Sequence, residues 1–318
     1  MLPTLEVLTI GRVSVDLYSD RPGASFQDDQ RFVKSVGGSP TNVAVAAARL
    51  GRRAAVITKV GDDPFGAYVR HKLQAFGVDT RFVGVHPTLP TPLAFAAMDR
   101  ADDPTLVFYR YPQAPDTTIE PESIDMAVAV AVPILWVSAS TLSTGTSAAA
   151  GDALLRARSG VRHTILDLDH RPQFWSSRAE ATARVGAALE HCTVAVGNTV
   201  ECEVAVGSGE PAEAARRLLD RGVEVAIVKR GDEGVLVATA GSSWVVPAHP
   251  VDVVCGLGAG DAFGGALCHG LLAGWDPRRS VEFANVAGAI VASRLLCSDA
   301  MPDEAEIHRA EGTVRATG

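Results

Sequence analysis

The stretch Val253-Val254-Cys255-Gly256-Leu257-Gly258-Ala259-Gly260-Asp261-Ala262-Phe263-Gly264-Gly265 sets one carboxylate, Asp261, among closely spaced glycines. Glycine lets a backbone turn tightly and bring successive N–H groups toward one point. An apolar strand is expected to enter this turn, and Phe263, Ala266, Leu267 and Leu271 predict a helix leaving it. A helix start adds unpaired N–H donors and a partial positive charge. Gly258, Ala259 and Gly260 therefore predict a backbone pocket for an anion such as phosphate. Asp261 falls in the first helical turn beside it. In a pocket that only bound phosphate, this carboxylate would repel the ligand. Beside a phosphoryl group in transfer, it is placed to accept the proton of the attacking hydroxyl. A tight turn with Asp261 merely favouring the helix dipole is the plainer alternative, and this segment alone leaves it open. The pattern is neither Gly-x-x-x-x-Gly-Lys-Ser/Thr nor Gly-x-Gly-x-x-Gly before a strand and acidic residue, which disfavours a P-loop and a dinucleotide site.

A second glycine pair opens Gly37-Gly38-Ser39-Pro40-Thr41-Asn42. Ser39 is expected to cap a helix, with Pro40 in its first position and Gly51 stopping it after Leu50. Asn42 then offers an amide one turn in; a turn plus cap is again the plainer reading. Two arginines stand where a ligand's carboxylate would be met: Arg110 closes Phe108-Tyr109-Arg110, and Arg171 follows Asp167-Leu168-Asp169-His170. A carboxylate rewards guanidinium pairing in a way a neutral hexose does not. Each arginine alone reads as an exposed charge.

Short Val- and Ile-rich runs alternate with helical segments along the chain. Leu5–Ile10, Ala54–Val60, Ile134–Ser138, His163–Leu168, Val194–Val196 and Val225–Val228 predict strands buried on both faces. A second helix is predicted from Asp63 as cap, Pro64 first, Val69, Leu73 and Phe76 along one face, and Gly77 as terminator. Such alternation predicts an α/β fold with a mostly parallel sheet covered on both sides. Thr91–Arg110 instead reads as a β-hairpin about Asp99–Pro104, and Arg12–Val36 as strand and loop. Both are expected in one small sheet, a lid contributed by residues 12–36 and 91–111 of a single domain spanning 1–318. The apolar run Met126–Val137 is too short for a bilayer span and reads as a core strand with its approach.

Composition narrows the class further. Hydrophobic residues at 47% and charged residues at 21% fit a globular chain. A formal charge of −8 with no basic block argues against nucleic acid or an anionic membrane as partner. Met1–Gly11 lacks the pattern of a signal peptide. The five cysteines include no Cys-x-x-Cys pair and read as reduced, packed thiols of a cytoplasmic protein.

Gly37, Gly38 and Asn42 followed, after βα alternation and a lid-like hairpin, by Gly258-Ala259-Gly260-Asp261 resemble the paired signatures of the PfkB (ribokinase-like) carbohydrate kinase family. The likeness runs from Thr9 to about Pro302. It implies a three-layer α/β/α fold, ATP and Mg²⁺ as cofactors, and a small-molecule sugar as substrate. Asp261 would be the base, and the Gly258–Gly260 amides the anion hole. Asp16, Gly37, Gly38 and Asn42 would surround the sugar. Asn198 and Glu201 match the family's Asn-x-x-Glu, which helps place phosphates and Mg²⁺. Lys229 and Gly231 would lie on the nucleotide side, and Asn285 near the adenine. Further runs, including Thr9–Tyr18 and Cys297–Pro302, resemble the branch that phosphorylates the 6-hydroxyl of a six-carbon keto acid in inositol breakdown. Kinases of other keto-deoxy acids, of fructose or of ribose remain alternatives, as does a sugar-sensing protein without catalysis. Cys255 and Gly256 stand where the family commonly has Asp-Thr, which leaves potassium dependence open, and Asp252 cannot be assumed to replace the Asp. Lid sheets in the family often join dimers, so the resemblance allows a homodimer through the lid, while the sequence alone does not fix the oligomeric state.

Overall fold

The computed structural model describes residues 4–317. Its first half comprises β1 (Val7–Ile10), β2 (Ser14–Ser19), β3 (Phe32–Gly37), α1 (Ser39–Arg49), β4 (Ala54–Gly61), α2 (Pro64–Ala75), β5 (Val83–His86), β6 (Leu93–Ala97) and β7 (Thr105–Tyr109). Then come α3 (Met126–Ala131), β8 (Ile134–Ser138), α4 (Gly145–Ala157), β9 (Thr164–Asp167), α5 (Arg178–Leu189), β10 (Val194–Asn198), α6 (Thr199–Val206) and α7 (Pro211–Asp220). The chain closes with β11 (Val225–Lys229), β12 (Val235–Thr239), β13 (Ser242–Val246), α8 (Ala259–Leu272), α9 (Pro277–Ala292) and α10 (Glu304–Thr317).

Nine strands form one sheet in the order β13-β12-β11-β10-β9-β8-β1-β4-β5. It is parallel except at β12, which runs antiparallel to both neighbours. Every residue of β1 and β8 is buried, as strands covered on both faces require. One apolar layer packs α1, α2, α8 and α9 on one face; a second packs α3 to α7 on the other. Four strands in the order β3-β2-β6-β7 make a separate small sheet, in which β6 and β7 form the expected hairpin. Among the described residues no helix is long and apolar enough to cross a membrane.

Three local expectations need correction. No strand enters the glycine turn: residues 251–254 are exposed coil, and the Val254 amide donates to the Ala292 carbonyl at the end of α9, at 2.8 Å, rather than to a strand. Ser39 does not cap α1; Gly38 holds that position with φ 99°, and the Ser39 hydroxyl turns away to donate to Asp167 at 3.2 Å. The apolar run from Met126 begins as helix α3, capped by the Asp125 carboxylate, before extending into β8. The cap at Asp63 is as expected, its carboxylate accepting from the Gly66 amide at 2.8 Å.

The contact that positions the site is α1 against α8. A Cβ on Gly265 would overlap that of Ala46 and stand 2.7 Å from the Ala47 amide; one on Gly264 would press Trp136 and Val43. These glycines let two helix backbones come closer than side chains allow. Gly265→Val is expected to lower unfolding stability by about 1–3 kcal/mol through overpacking, read by chemical denaturation. A variant as stable as the parent chain would show that the helices are not in such contact.

Candidate active site

The carboxyl ends of β9, β10 and β11 deliver Asp167, Asn198 and Lys229 to a cleft of about 290 Å³. Parallel sheets bind ligands at this edge, where helix N-termini converge. The small sheet forms the opposite wall through Asp16, Ala94 and Phe108, with Asp102 and Asp103 of the β6–β7 turn. That turn rests on the glycine loop: the Gly256 amide donates to the Ala101 carbonyl at 2.7 Å. A Cβ on Gly256 would strike the Asp102 backbone, so only glycine fits under it.

Asp261 is the third residue of α8, which starts after Gly258 in the left-handed conformation, φ 82°. No side chain caps this helix, so its first amides stay open to an anion beside the carboxylate. A side chain on Gly258 would also meet the Cys297 sulfur at 2.6 Å. The Asn42 amide donates to Asp261 Oδ2 at 2.7 Å, and the Asn42 carbonyl oxygen accepts from the Ser298 hydroxyl at 2.7 Å. Asn42 lines the cleft, and this chain of bonds ties its side chain to the Asp261 carboxylate. Burial pushes Asp261 up to about 6, against hydrogen bonds from Asn42 and Ser39 that favour the charged form. The Lys229 ammonium lies against Gly260 and, despite burial, keeps a raised pKa because Glu201, Asp167 and Asp261 surround it.

On the sugar side, the Asp16 carboxylate accepts from Ser14 at 2.6 Å and Tyr18 at 3.2 Å; burial raises its pKa. Gly37 does not line the cleft; a Cβ there would overlap the Asp16 carboxylate, so it makes room for that group. Gly38 lines the cleft directly. Asp167 and Asp169, one step apart after β9, diverge. Burial lifts Asp167 to about 8, the Lys229 charge opposing. Burial would lift Asp169 too, but Arg12 and Arg171 outweigh it and hold that carboxyl well below the usual range. Arg171 opens onto the cleft, its Nε 3.1 Å from Asp169. Arg110 lines a neighbouring cavity instead, where it is paired with Asp116.

The nucleotide-side residues divide. Asn198 and Glu201 line the cleft and form a reciprocal capping box at α6, the Glu201 amide donating to Asn198 at 2.9 Å and the Asn198 amide to Glu201 at 2.6 Å. Gly231 and Asn285 are not in the cleft lining; Asn285 joins α9 to the chain after β13 by donating to the Pro247 carbonyl at 2.7 Å. Among the described residues no cluster of three or more His, Cys, Asp or Glu side chains could cage a metal. That donor set suits Mg²⁺ held largely by phosphates and water, with Glu201 the residue at hand. Cys255 is buried in a cluster with Tyr18 and Cys297, and Asp252 is exposed.

Sequence reading passed over Arg12, Asp167, Asp169 and Ser298. The Asp-x-Asp-x-Arg spacing after β9 could have flagged the two carboxylates. Arg12 and Ser298 fall in the runs Thr9–Tyr18 and Cys297–Pro302, whose resemblance assigns no role to either residue.

An α/β sheet with a phosphate-shaped helix start, a recessed carboxylate and a β wall is what a sugar kinase needs, and the comparisons agree. The model of the pfkB family carbohydrate kinases matches residues 4–304, and the chain belongs to that family. It is a carbohydrate kinase. The chain is 30% identical over 312 residues to the 5-dehydro-2-deoxygluconokinase of Geobacillus kaustophilus, covering 96% of this chain and 93% of that protein. It is 32% identical over 306 residues to the enzyme of the same name from Photobacterium profundum, covering 94% and 92%. Among solved structures it is similar to a fructokinase of Vibrio cholerae with fructose, ADP and calcium bound, at TM-score 0.84 and 26% identity, covering 96% and 99%. A putative ribokinase II of E. coli shares the fold at TM-score 0.88 and 24% identity, covering 97% and 99%.

With Asp261 as the proton acceptor, kcat/KM should fall as pH drops through about 6, where protonation removes the base. Asn42→Ala withdraws a bond that favours the ionised form, so the midpoint should move upward. A pH profile with the same midpoint in both proteins would contradict this coupling.

Proposed function

We propose that this chain transfers the γ-phosphoryl group of ATP, with Mg²⁺, to the 6-hydroxyl of 5-dehydro-2-deoxy-D-gluconate, a step of inositol breakdown. The observation that carries the chemistry is Asp261, set beside the open amides of α8 and aimed by Asn42. The names of its relatives at 30% and 32% identity carry the substrate. In this reading the Gly258–Gly260 amides and Lys229 take the charge of the transferring phosphoryl group. Mg²⁺, when bound, offsets charge on the nucleotide phosphates, with Glu201 reaching it through water. Asp16 and Gly38 hold sugar hydroxyls. Asn42 holds Asp261, which accepts the 6-hydroxyl proton as the new P–O bond forms. The small sheet is the lid: its β6–β7 turn over Gly256 excludes water from the transfer. We read its exposed outer face, with Val33 and Tyr109, as the seam of a homodimer.

A fructose-directed reading draws on the Vibrio cholerae enzyme, which was solved with fructose. Arg171 at the cleft favours the acid. A coupled ADP-release assay of 5-dehydro-2-deoxygluconate, 2-keto-3-deoxygluconate, fructose and ribose separates the candidates. The first should give the highest kcat/KM; a neutral sugar in first place would overturn the substrate assignment. Asp261→Asn should lower kcat by roughly 10²–10⁴ with little change in binding. Near-normal turnover in that variant would sink the mechanism, and sugar binding without ATP turnover in the parent chain would point to a sensor.

A further inference from the structure

Arg12 lies at the wall shared by the cleft and the neighbouring cavity of about 710 Å³. It is only 9% exposed. A buried guanidinium is costly unless its donors are met. Two edges are met: Nε donates to the Ser140 hydroxyl at 2.9 Å, and Nη2 to Asp169 Oδ2 at 2.5 Å. Nη1 makes no hydrogen bond among the described residues. The Phe174 ring lies beneath the guanidinium, 5.1 Å from Cζ to the centroid, and also meets Arg110, at 5.4 Å.

Arg171 approaches the other oxygen of the same carboxylate, Oδ1, at 3.1 Å. Asp169 also accepts from Ser138 at 3.2 Å and Ser140 at 2.9 Å. One saturated carboxylate thus holds two guanidiniums side by side, with Asp16 facing Arg12, and Glu201 and Asp261 facing Arg171, across the cleft. Arg110 and Asp116 cancel each other in the neighbouring cavity.

We propose that Arg12 is a specificity-determining residue that receives the substrate's carboxylate, forming with Arg171 a clamp that Asp169 preorganises. The proposal rests on the sugar-acid reading above. Arg12 takes the place that sequence spacing gives to Arg110. A carboxylate bound here would accept from Arg12 Nη1 and the free fork of Arg171.

Steady-state kinetics on the intact enzyme test the clamp, with 5-dehydro-2-deoxygluconate and 2-keto-3-deoxygluconate as acids and KM for ATP measured in parallel. Arg12→Lys keeps the charge but loses the planar fork, and should raise KM for the acid roughly 10-fold, with kcat and KM for ATP moving far less. Should that variant fold poorly, Arg12→Gln with Asp169→Asn removes both buried charges together, and should raise the same KM by roughly 10²-fold. Acid turnover with a parent-like KM in a folded variant overturns the clamp and leaves the sugar-acid reading standing. So does a rise in the ATP KM in step with that for the acid, which marks a structural role. If the parent chain turns over neither acid, the sugar-acid reading fails and the clamp with it.

Discussion

The approach of α1 to α8 is set by glycine, since a side chain on Gly265 would drive into Ala46 and Ala47. From that contact follows the reach of Asn42 to Asp261, 2.7 Å between side chains that are over two hundred positions apart in the chain. Asn42 is held in turn by Ser298, and the segment that carries Ser298 is pinned from two sides. Ser35 of the small sheet donates to Asp299 at 2.7 Å, and Arg49 of α1 donates to the Met301 carbonyl at 3.2 Å. The Asp261 carboxylate is therefore held by a chain of bonds that reaches α1 and the small sheet. Preorganisation of this kind costs nothing at the moment of reaction, because folding has already supplied it.

Charge in the cleft is arranged by the same logic. Asp167 and Asp169 are neighbours on one strand end, yet burial raises the first while Arg12 and Arg171 lower the second. Asp261 lies between, near 6. Burial works against the charged forms of Asp167 and Asp261, while Arg12 and Arg171 favour the charged form of Asp169. Lys229 stands among them against Gly260. An incoming polyphosphate thus meets backbone amides and an ammonium set among these carboxyl groups.

Much of this was legible in the chain. The buried strands announced themselves by their Val and Ile content, and the β6–β7 hairpin by alternation about Asp99–Pro104. Asp261 stood out because a carboxylate in a glycine-built anion pocket has few uses besides proton transfer. What stayed hidden depends on partners far away in sequence. Ser39 has the local chemistry of a cap, but Asp167 offers its hydroxyl a tertiary partner, and Gly38 adopts the positive φ that starts the helix without it. Arg110 ends its strand where a carboxylate ligand was expected, but Asp116 claims it. Residues 251–254 have the composition of a strand but stay outside the sheet, the Val254 amide bonding to the end of α9 instead. Arg12, two residues before β2, lies in the run Thr9–Tyr18 singled out by resemblance, but its role shows only through Asp169 and Ser140.

The coupling of Asn42 to Asp261 is the claim on which the mechanism stands, and a double-mutant cycle on kcat measures it directly. If Asn42 acts by holding the base, combining Asn42→Ala with Asp261→Asn should be no slower than Asp261→Asn alone, because the first change has nothing left to orient. If the two losses instead multiply, Asn42 works independently of Asp261, and the account of the base held between α1 and α8 is wrong.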